Sequence, residues 1–278
     1  MKKFILTAII ILLIITLTGL LAFDDTLSVS VYRIKNQNVA NKLTIVHISD
    51  LHSTYYGKSQ EQLIQKIKDA KPDLIVLTGD IADDCNPFEG TKLLLEGIKS
   101  VAPIYYVAGN HEYWADNYPD IIKGIKEEGV KILSNDSEEI NLNGTSILLY
   151  GVDDPESRLR KKDALDIKSA LDQASEKAQT FTGLKILLSH RNEYYETYAK
   201  MPYDLVFSGH AHGGQVRIPL ILPQGLVHPS TGFFPKYTGG EYKLSSTETF
   251  VVSRGLSHES LPRIFDSPQL IVVELYHG

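Results

Sequence analysis

The first half of the chain contains three apolar segments, each followed by a polar tip and an amphipathic segment. This repeat restricts the possible folds more strongly than any other feature of the sequence. The apolar segments are residues 43–49, 73–78 and 103–107, and the amphipathic segments after them are residues 59–70, 88–100 and 118–128. Alternating strands and helices of this kind are typical of βαβ units, in which helices cover a largely parallel sheet. Because such sheets bind ligands beyond the carboxyl ends of their strands, the polar tips become candidate site residues.

The second half of the chain combines a predicted hairpin with further strands. Asn143-Gly144 lies between two short apolar-rich runs, and this dipeptide is the strongest short-range signal for a β-hairpin. Helical spacing of alanine and leucine predicts a helix over residues 163–179, and residues 192–199 predict a shorter one. Residues 216–242 are rich in proline and glycine, which predicts mostly irregular structure there. The remaining predicted strands are residues 130–133, 138–142, 145–151, 184–189, 205–207, 247–253 and 270–276.

An uncharged apolar segment, residues 4–23, precedes the part of the chain that is expected to be globular. About 20 apolar residues suffice to cross a bilayer, whereas a cleaved signal peptide has a shorter core and a small-residue cleavage site. We therefore expect residues 1–23 to be an uncleaved transmembrane anchor, with a cleaved leader as the alternative. Lys2 and Lys3 precede the segment and Asp24 and Asp25 follow it, which places the rest of the chain outside the cytoplasm, at the cell membrane.

Beyond the anchor, the chain is expected to contain one catalytic domain. Residues 24–42 are predicted to be a linker with an edge strand over 27–32, and residues 43–278 the domain itself. With 43% hydrophobic and 22% charged residues the composition is that of a globular protein. A net charge of −6 without a long run of lysine or arginine argues against binding to nucleic-acid backbones. Cys85 is the single cysteine, so an internal disulfide is excluded, and we expect it to be a small loop residue.

Polar side chains that can bind a metal follow five of the predicted strands. Taken singly, Asp80 reads as a turn residue and His190 as a buried structural histidine, but their joint placement favours a metal site. Carboxylates, an amide oxygen and imidazoles suit Mn, Fe, Zn, Co or Ni better than Ca or Mg. The set is too large for one tetrahedral ion and fits two ions about 3.5–4 Å apart that share a carboxylate. Its members are Asp50, His52, Asp80, Asn110, His111, His190, His210 and His212.

These blocks occur in the order and at about the spacing found in one family. The sequence resembles the calcineurin-like metallophosphoesterases from about Leu43 to the C-terminus, and segments of its tail resemble the membrane-associated bacterial branch. The resemblance implies an α/β fold, a four-layer sandwich of two mixed β-sheets flanked by helices, here with an N-terminal transmembrane helix. It rests on Asp50-x-His52, Gly79-Asp80, Gly109-Asn110-His111-Glu112, Ser189-His190, Gly209-His210-Ala211-His212, Ser253-Arg254-Gly255-Leu256 and Pro262-Arg263-Ile264.

The resemblance also implies roles for the site residues. The first of two divalent metal ions (Mn, Fe or Zn) would be held by Asp50, His52 and His212. Asp80 would bridge the two ions, and the second site would be completed by Asn110, His190 and His210. A water shared by two such ions loses its proton near neutral pH, and the hydroxide can attack phosphorus. His111 is not expected to be a ligand but to contact the phosphoryl oxygen or to protonate the leaving group.

The expected activity is hydrolysis of a phosphate ester or pyrophosphate, with a lipid-linked or envelope substrate favoured by the anchor. Two alternatives remain at this stage: a catalytically silent, metal-dependent phosphate-binding module, and a phosphodiesterase for soluble or cyclic nucleotides. The oligomeric state is open. Several residues near the motifs also have two readings. Tyr113 and Trp114 either line a substrate cleft or pack under a loop, and Arg191 either reaches a phosphate or is solvated. Asp83 and Asp84 are expected to cap or solvate a loop, and His228 to lie on the surface or in a loop.

Overall fold

The first half of the chain follows the predicted alternation of strands and helices. The computed structural model describes residues 2–245, 248–258 and 262–278. Its first elements are helix α1 (Lys2–Ala22), strands β1 (Ser28–Asn36) and β2 (Leu43–Ile48), helix α2 (Glu61–Ala70), strand β3 (Leu74–Thr78), helix α3 (Glu89–Ile98), strand β4 (Ile104–Val107), and helices α4 (Asn110–Trp114) and α5 (Tyr118–Glu127).

The second half is richer in strands, and short 3-10 helices occur at Pro155–Leu159, Asn192–Tyr194 and His212–Gly214. Its helices and strands are β5 (Lys131–Ile132), β6 (Asp136–Leu142), β7 (Thr145–Val152), α6 (Ile167–Gln179), β8 (Leu184–Ser189), α7 (Tyr195–Tyr198), β9 (Leu205–Ser208), β10 (Val227–His228), β11 (Gly232–Phe233), β12 (Gly240–Lys243), β13 (Thr249–Val252) and β14 (Gln269–His277).

The strands form two six-stranded mixed sheets and one small hairpin, β10–β11. The first sheet has the order β1-β14-β2-β3-β4-β5, in which β2 to β5 are parallel to one another and β14 is antiparallel to β2. The second has the order β12-β13-β9-β8-β7-β6, with parallel strands in the middle and antiparallel strands at both edges. This confirms the predicted class of two mixed sheets flanked by helices.

Strand β3 shows why the central strands are continuously apolar. Side chains alternate across a strand, so Leu74 and Val76 pack into the core between the two sheets, while Ile75 and Leu77 pack against helices. All five residues of β3 are buried. The four layers are therefore helices, first sheet, second sheet and helices, with both faces of each central strand covered.

Several predicted boundaries differ from those of the structure. The helix predicted over 163–179 begins at Ile167, because the Asp166 carboxylate accepts a hydrogen bond from Ser169 N at 3.0 Å and caps it. The predicted edge strand is longer, and it pairs in parallel with β14. Of the strand predicted over 247–253, residue 247 lies outside the described residues.

The Asn143-Gly144 hairpin is confirmed. Leu142 pairs with Thr145 across a two-residue loop. Both loop residues have positive φ, 52° for Asn143 and 78° for Gly144, as a type I′ turn requires.

Helix α1 is long and apolar enough to cross a bilayer. Within Lys3–Ala22, an 18-residue window has a mean hydropathy of 2.9 and contains no buried residue, whereas Ala22 at the end of the helix is buried, with 7% of its surface exposed. The helix remains attached to the domain at its end, where Phe265 N donates a hydrogen bond to the carbonyl of Ala22 at 2.7 Å.

Candidate metal centre

All eight predicted site residues lie beyond the carboxyl ends of strands, at the same end of both sheets. Asp50 and His52 follow β2, and Asp80 follows β3, with Asn110 and His111 after β4. The second sheet contributes one histidine after β8 and two after β9. Two sets of possible ligand atoms each lie within 4.8 Å of one another, and Asp80 belongs to both. The sets are Asp50, His52, Asp80 and His212, and Asp80, His190 and His210.

The carboxylate of Asp80 lies between the two sets. Its Oδ2 is 3.1 Å from His190 Nε2 and 3.8 Å from His52 Nε2. Its Oδ1 accepts a hydrogen bond from His111 N at 2.9 Å, which fixes the direction of the carboxylate. Burial opposes ionisation of Asp80, but the neighbouring imidazoles, His190 first among them, together hold its pKa well below the ordinary value. Asp80 is therefore an anionic group placed to face both sets at once.

The remaining members complete two adjacent clusters. Asp50 Oδ1 is 3.5 Å from His212 Nε2 and accepts a hydrogen bond from His210 N at 2.9 Å. Asn110 Oδ1 is 3.1 Å from His190 Nε2, and His210 Nδ1 is 3.2 Å from the same nitrogen. Residues from the first sheet and from the second sheet thus meet in one small volume.

Three buried polar atoms in this volume indicate what the site can bind. Asp50 Oδ2, His52 Nε2 and Asp80 Oδ2 make no hydrogen bond with any described residue. A buried polar atom without a partner is costly, so such atoms generally mark a bound ion or water. Carboxylate oxygens and imidazole nitrogens together suit Mn, Fe or Zn. The donor set therefore fits divalent metal ions, in agreement with the expectation from the sequence.

Two imidazoles are oriented by partners on their outer nitrogens. His52 Nδ1–H donates to Asp83 Oδ2 at 2.7 Å, and His190 Nδ1–H donates to the carbonyl of Thr78 at 2.8 Å. In each case the lone pair of Nε2 then points into the site, which is the usual arrangement of a metal-binding histidine. Burial raises the pKa of Asp83, but its hydrogen bonds with His52, Cys85 N and Asn86 N lower it by more, so that the pKa falls from 3.8 to about 2.

Asp83 and Asp84 therefore do more than the sequence predicted. Asp83 Oδ1 does cap its loop, since it accepts hydrogen bonds from Cys85 N and Asn86 N. Asp84 Oδ1 is 2.6 Å from His111 Nδ1. No periodicity in the sequence links these aspartates to the histidines, because the contacts depend on how the loop after β3 folds back over the site.

His111 lies at the border between the buried clusters and solvent. Its ring centroid is 4.4 Å from that of His52 and 4.8 Å from that of Trp114. The side chain is 28% exposed. It lines a cavity of about 670 Å³ whose wall includes His52, Asp83, Asp84, His212 and Ser257. A molecule in this cavity would contact His111 and the buried clusters at the same time.

Glu112 joins the loops after β3 and β4, a role that was not predicted from the sequence. It is fully buried, and its carboxylate accepts hydrogen bonds from Asp80 N, Ile81 N, Ala82 N and Gly109 N at 2.7–2.9 Å. Burial and the nearby charge of Asp80 raise the pKa of Glu112. Glu112 therefore holds the loop after β3 against the loop after β4.

Of the two interpretations of Arg191, the solvated one is wrong, since its side chain is only 12% exposed. Its guanidinium forms a bidentate ion pair with Asp154, with nitrogen–oxygen distances of 2.5 and 3.1 Å. Its Nη1 lies 3.0 Å from both His210 Nε2 and Ser230 Oγ. Burial, together with the nearby His190 and the charge of Arg191, lowers the pKa of His210, which favours the neutral imidazole. The adjacency of Arg191 to His190 was the single signal for this contact in the sequence.

The structure also places Tyr113, Trp114 and His228. Tyr113 packs under a loop, where its hydroxyl donates to Asp153 at 2.9 Å, whereas Trp114 is 44% exposed beside His111. His228 is buried rather than on the surface, and its Nε2 is 2.8 Å from Asn192 Oδ1.

The backbone at the site is unusual. Five site residues have a positive φ, between 44° and 66°, although none is glycine. Such conformations are costly for residues with a side chain and cluster at functional sites. They are Asp50, His52, Asp80, His210 and His212.

Comparison with known proteins identifies the family to which the chain belongs. The model of the calcineurin-like phosphoesterase family matches residues 43–214. A metallophosphoesterase of Helicobacter pylori is 30% identical over 234 residues, which cover 83% of this chain and 58% of that protein. A Bos taurus protein described as a transmembrane protein with metallophosphoesterase domain is 28% identical over 250 residues, which cover 85% and 53%. The chain thus spans about half the length of these relatives.

A solved structure, that of the Thermus thermophilus protein TT1561, aligns with 77% of this chain and 89% of that chain. The TM-score is 0.49 and the sequence identity 14%.

Proposed function

Because the chain belongs to the calcineurin-like phosphoesterase family, we propose that it is a membrane-anchored phosphohydrolase that uses two divalent metal ions to hydrolyse a phosphate ester or pyrophosphate. The observation that carries this proposal is the position of Asp80, whose carboxylate faces two separate ligand sets. A carboxylate so placed suits a bridge between two ions, as two-metal phosphoryl transfer requires.

The assignment of ligands follows the two clusters. Asp50, His52 and His212 would hold the first ion together with Asp80. Asn110, His190 and His210 would hold the second ion, with Asp80 as the shared ligand. When bound, such a pair of ions supplies an activated water for attack on phosphorus and compensates charge on the phosphoryl oxygens.

The protein's own residues position the substrate and move a proton. His111 borders the cavity, and its Nδ1 is held by Asp84 at 2.6 Å, so Nε2 is the nitrogen available to the substrate. From that position it contacts the phosphoryl group or protonates the leaving oxygen, a role that contributes about 10²–10⁴-fold to a rate. Glu112 and Asp83 act through others, because they hold Asp80 and His52 in place.

The location proposed is the cell membrane, with the domain outside the cytoplasm. Helix α1 has the length and hydropathy of a transmembrane span, and a transmembrane relative carries the same domain. Lysines before the helix and aspartates after it favour this orientation.

The proposal is tested with the full chain in detergent, loaded with Mn²⁺, and bis-p-nitrophenyl phosphate as substrate. We expect release of p-nitrophenol by the wild type and none by Asp80→Ala, while Asp116→Ala, which removes a fully exposed carboxylate, keeps it. Metal content is measured for each variant by mass spectrometry. If the wild type binds Mn²⁺ but releases no more product than Asp80→Ala, the result supports a silent binding module instead.

A further inference from the structure

Two turns carry the most exposed large apolar side chains of the described residues outside the membrane helix. Leu220 is 99% exposed and Ile221 78%, and Phe233 and Phe234 are 71% and 69% exposed. Beyond Phe23, no other large apolar side chain of the described domain exceeds 54%. We call the group Ile218, Leu220, Ile221, Phe233 and Phe234 the apolar rim. Large exposed apolar patches on a folded domain mark contacts with membranes or other proteins.

The backbone holds these side chains outward. Ile221 N and Leu222 N both donate to the carbonyl of Ile218, at 3.0 and 2.7 Å, which closes a tight turn with Leu220 at its tip. Leu220 and Phe234 have positive φ values of 69° and 57°, a conformation that bulky residues rarely adopt. The exposure of the rim is therefore a defined feature of the fold.

The rim is connected to the end of the membrane helix by one short segment. Phe265 N donates to the carbonyl of Ala22 at 2.7 Å, and the preceding residue, Ile264, pairs in parallel with Val216. Neighbouring extended segments lie about 5 Å apart, and the four residues from Val216 to Leu220 reach at most about 14 Å. Leu220 is therefore within about 30 Å of the point where α1 would leave the bilayer.

The rim is also connected to the metal centre. Leu226 N donates to Gly214 O at 2.9 Å, two residues after His212, and Phe234 N donates to Leu226 O at 2.9 Å. Gln215 and Val227 line the cavity in front of His111, and Val227 pairs with Phe233 of the rim. The cavity therefore borders the apolar rim at this hairpin.

We propose that the apolar rim inserts into the surface of the lipid bilayer in which α1 is anchored, and that the substrate phosphate is carried by a membrane lipid. This inference rests on the proposed function and adds to it a second membrane contact and a substrate class. Apolar side chains at an interface enter the boundary between headgroups and acyl chains. With the rim at that depth, the cavity mouth faces the headgroups, where a lipid phosphate would reach the metal centre.

The depth of the rim is measured by fluorescence on the full chain. Single-cysteine variants in a Cys85→Ser background carry an environment-sensitive NBD label and are reconstituted into vesicles of phosphatidylcholine and phosphatidylglycerol. Quenching by lipids with a doxyl group near the headgroup is then recorded. The labelled variants are Leu220→Cys in the rim, Leu17→Cys in α1 as a positive control, and Asp69→Cys as a negative control. Asp69 lies at the end of α2, at the opposite end of the sheet from the site.

We expect quenching at positions 17 and 220 and none at 69. Quenching at 17 without quenching at 220 overturns the docking of the rim and leaves the anchor standing. If the label at 220 is shielded from water but is not quenched by lipid, a second copy or another protein covers the rim. That result also overturns the docking of the rim to the bilayer. No quenching at 17 or 220 overturns both the docking and the anchor. None of these readings depends on hydrolysis, so failure of the proposed activity is distinguished.

The substrate class is tested by activity. The double variant Leu220→Ser with Ile221→Ser is compared with the wild type on a phosphatidic acid in vesicles and on soluble bis-p-nitrophenyl phosphate. We expect a loss of about tenfold or more on the lipid, the scale set by one apolar side chain that no longer enters the bilayer. Turnover of the soluble ester should be unchanged. An equal loss on both substrates, or no loss on either, overturns the inference.

Discussion

Single residues in the site differ in function according to their partners. His52 and His190 are held through Nδ1, by a carboxylate and by a backbone carbonyl, and so present Nε2 to the buried carboxylates. His111 is held through Nδ1 as well, by Asp84, but its ring lies at the cavity. The same side chain is therefore a candidate ligand in two positions and a candidate proton donor in the third.

Removing the imidazole of His111 is expected to slow hydrolysis without loss of metal. In His111→Ala we expect turnover of bis-p-nitrophenyl phosphate to fall about 10²–10⁴-fold, because a positioned acid is lost while the ligand clusters stay complete. The measurement combines kcat with metal content. Asp84→Asn, which weakens only the support of the ring, should give a smaller loss. Turnover at the wild-type rate in metal-loaded His111→Ala contradicts the role.

Glu248 is expected to make stability depend on pH. It is 1% exposed, and its carboxylate oxygens accept no hydrogen bond from the described residues. Burial raises its pKa from 4.5 to about 8. Between these values the folded chain keeps the proton and the unfolded chain does not, so this group lowers stability as pH rises from 4.5 to 8.

We therefore expect Glu248→Gln to raise the melting temperature above pH 8 and to change it little near pH 5. The measurement is thermal unfolding of both proteins across that range. The matched control is Glu196→Gln, which changes an exposed glutamate in α7 and should shift neither end. A Glu248→Gln effect of equal size at both ends of the range would contradict the raised pKa.

At the scale of elements, the strands decide where the site forms. β2, β3 and β4 end side by side in the first sheet, and β8 and β9 end side by side in the second. Strand ends of the two sheets come close together at two glycines. A Cβ on Gly79 would lie 2.6 Å from His190 Nδ1, and one on Gly209 would lie 1.9 Å from Ser49 Oγ. Glycine at these positions lets strand ends of opposite sheets touch.

Adding a methyl group at Gly209 is expected to disturb the first metal site. The Cβ of Gly209→Ala would lie 2.3 Å from Asp50 Oδ2, so the carboxylate must move. We expect about 10–100-fold weaker Mn²⁺ binding, the usual effect of displacing the support of a ligand, measured by titration calorimetry. Gly129→Ala is the control: its φ of 80° makes alanine cost about 1 kcal/mol, but its Cβ would meet no atom within 4 Å. Equal Mn²⁺ affinity in both variants contradicts the prediction.

The strands, and the position of the candidate site residues at the strand ends, could be predicted from the sequence because both signals are local. A run such as residues 74–78 must be buried on both faces, and the polar group directly after it must lie at the sheet edge. The Arg191–Asp154 ion pair and burial of His228 could not be predicted. These contacts join segments 36–37 residues apart, and they depend on loops without periodic patterning.

At the scale of the whole molecule, the two sheets are joined by an apolar core and by the site. Leu74, Val76 and Tyr105 of the first sheet share a core with Ile186 and Phe207 of the second. At the edge of that core, His190 Nδ1 donates to Thr78 O and His210 N donates to Asp50 Oδ1. Metal ions bound there would be ligated from both sheets, so binding and folding stability should be linked.

Removing the metal ions is therefore expected to lower the melting temperature of the full chain. At a thousandfold excess over Kd one ion contributes about 4 kcal/mol, and about 1 kcal/mol shifts Tm by about 2–4 °C in a domain near this size. Mn²⁺-loaded protein should thus melt about 10 °C above EDTA-treated protein in differential scanning fluorimetry. Asp80→Ala should lose most of this rise because both ions lose a shared ligand, whereas Asp116→Ala should keep it. A wild type that melts at one temperature with and without Mn²⁺ would show that no ion links the two sheets.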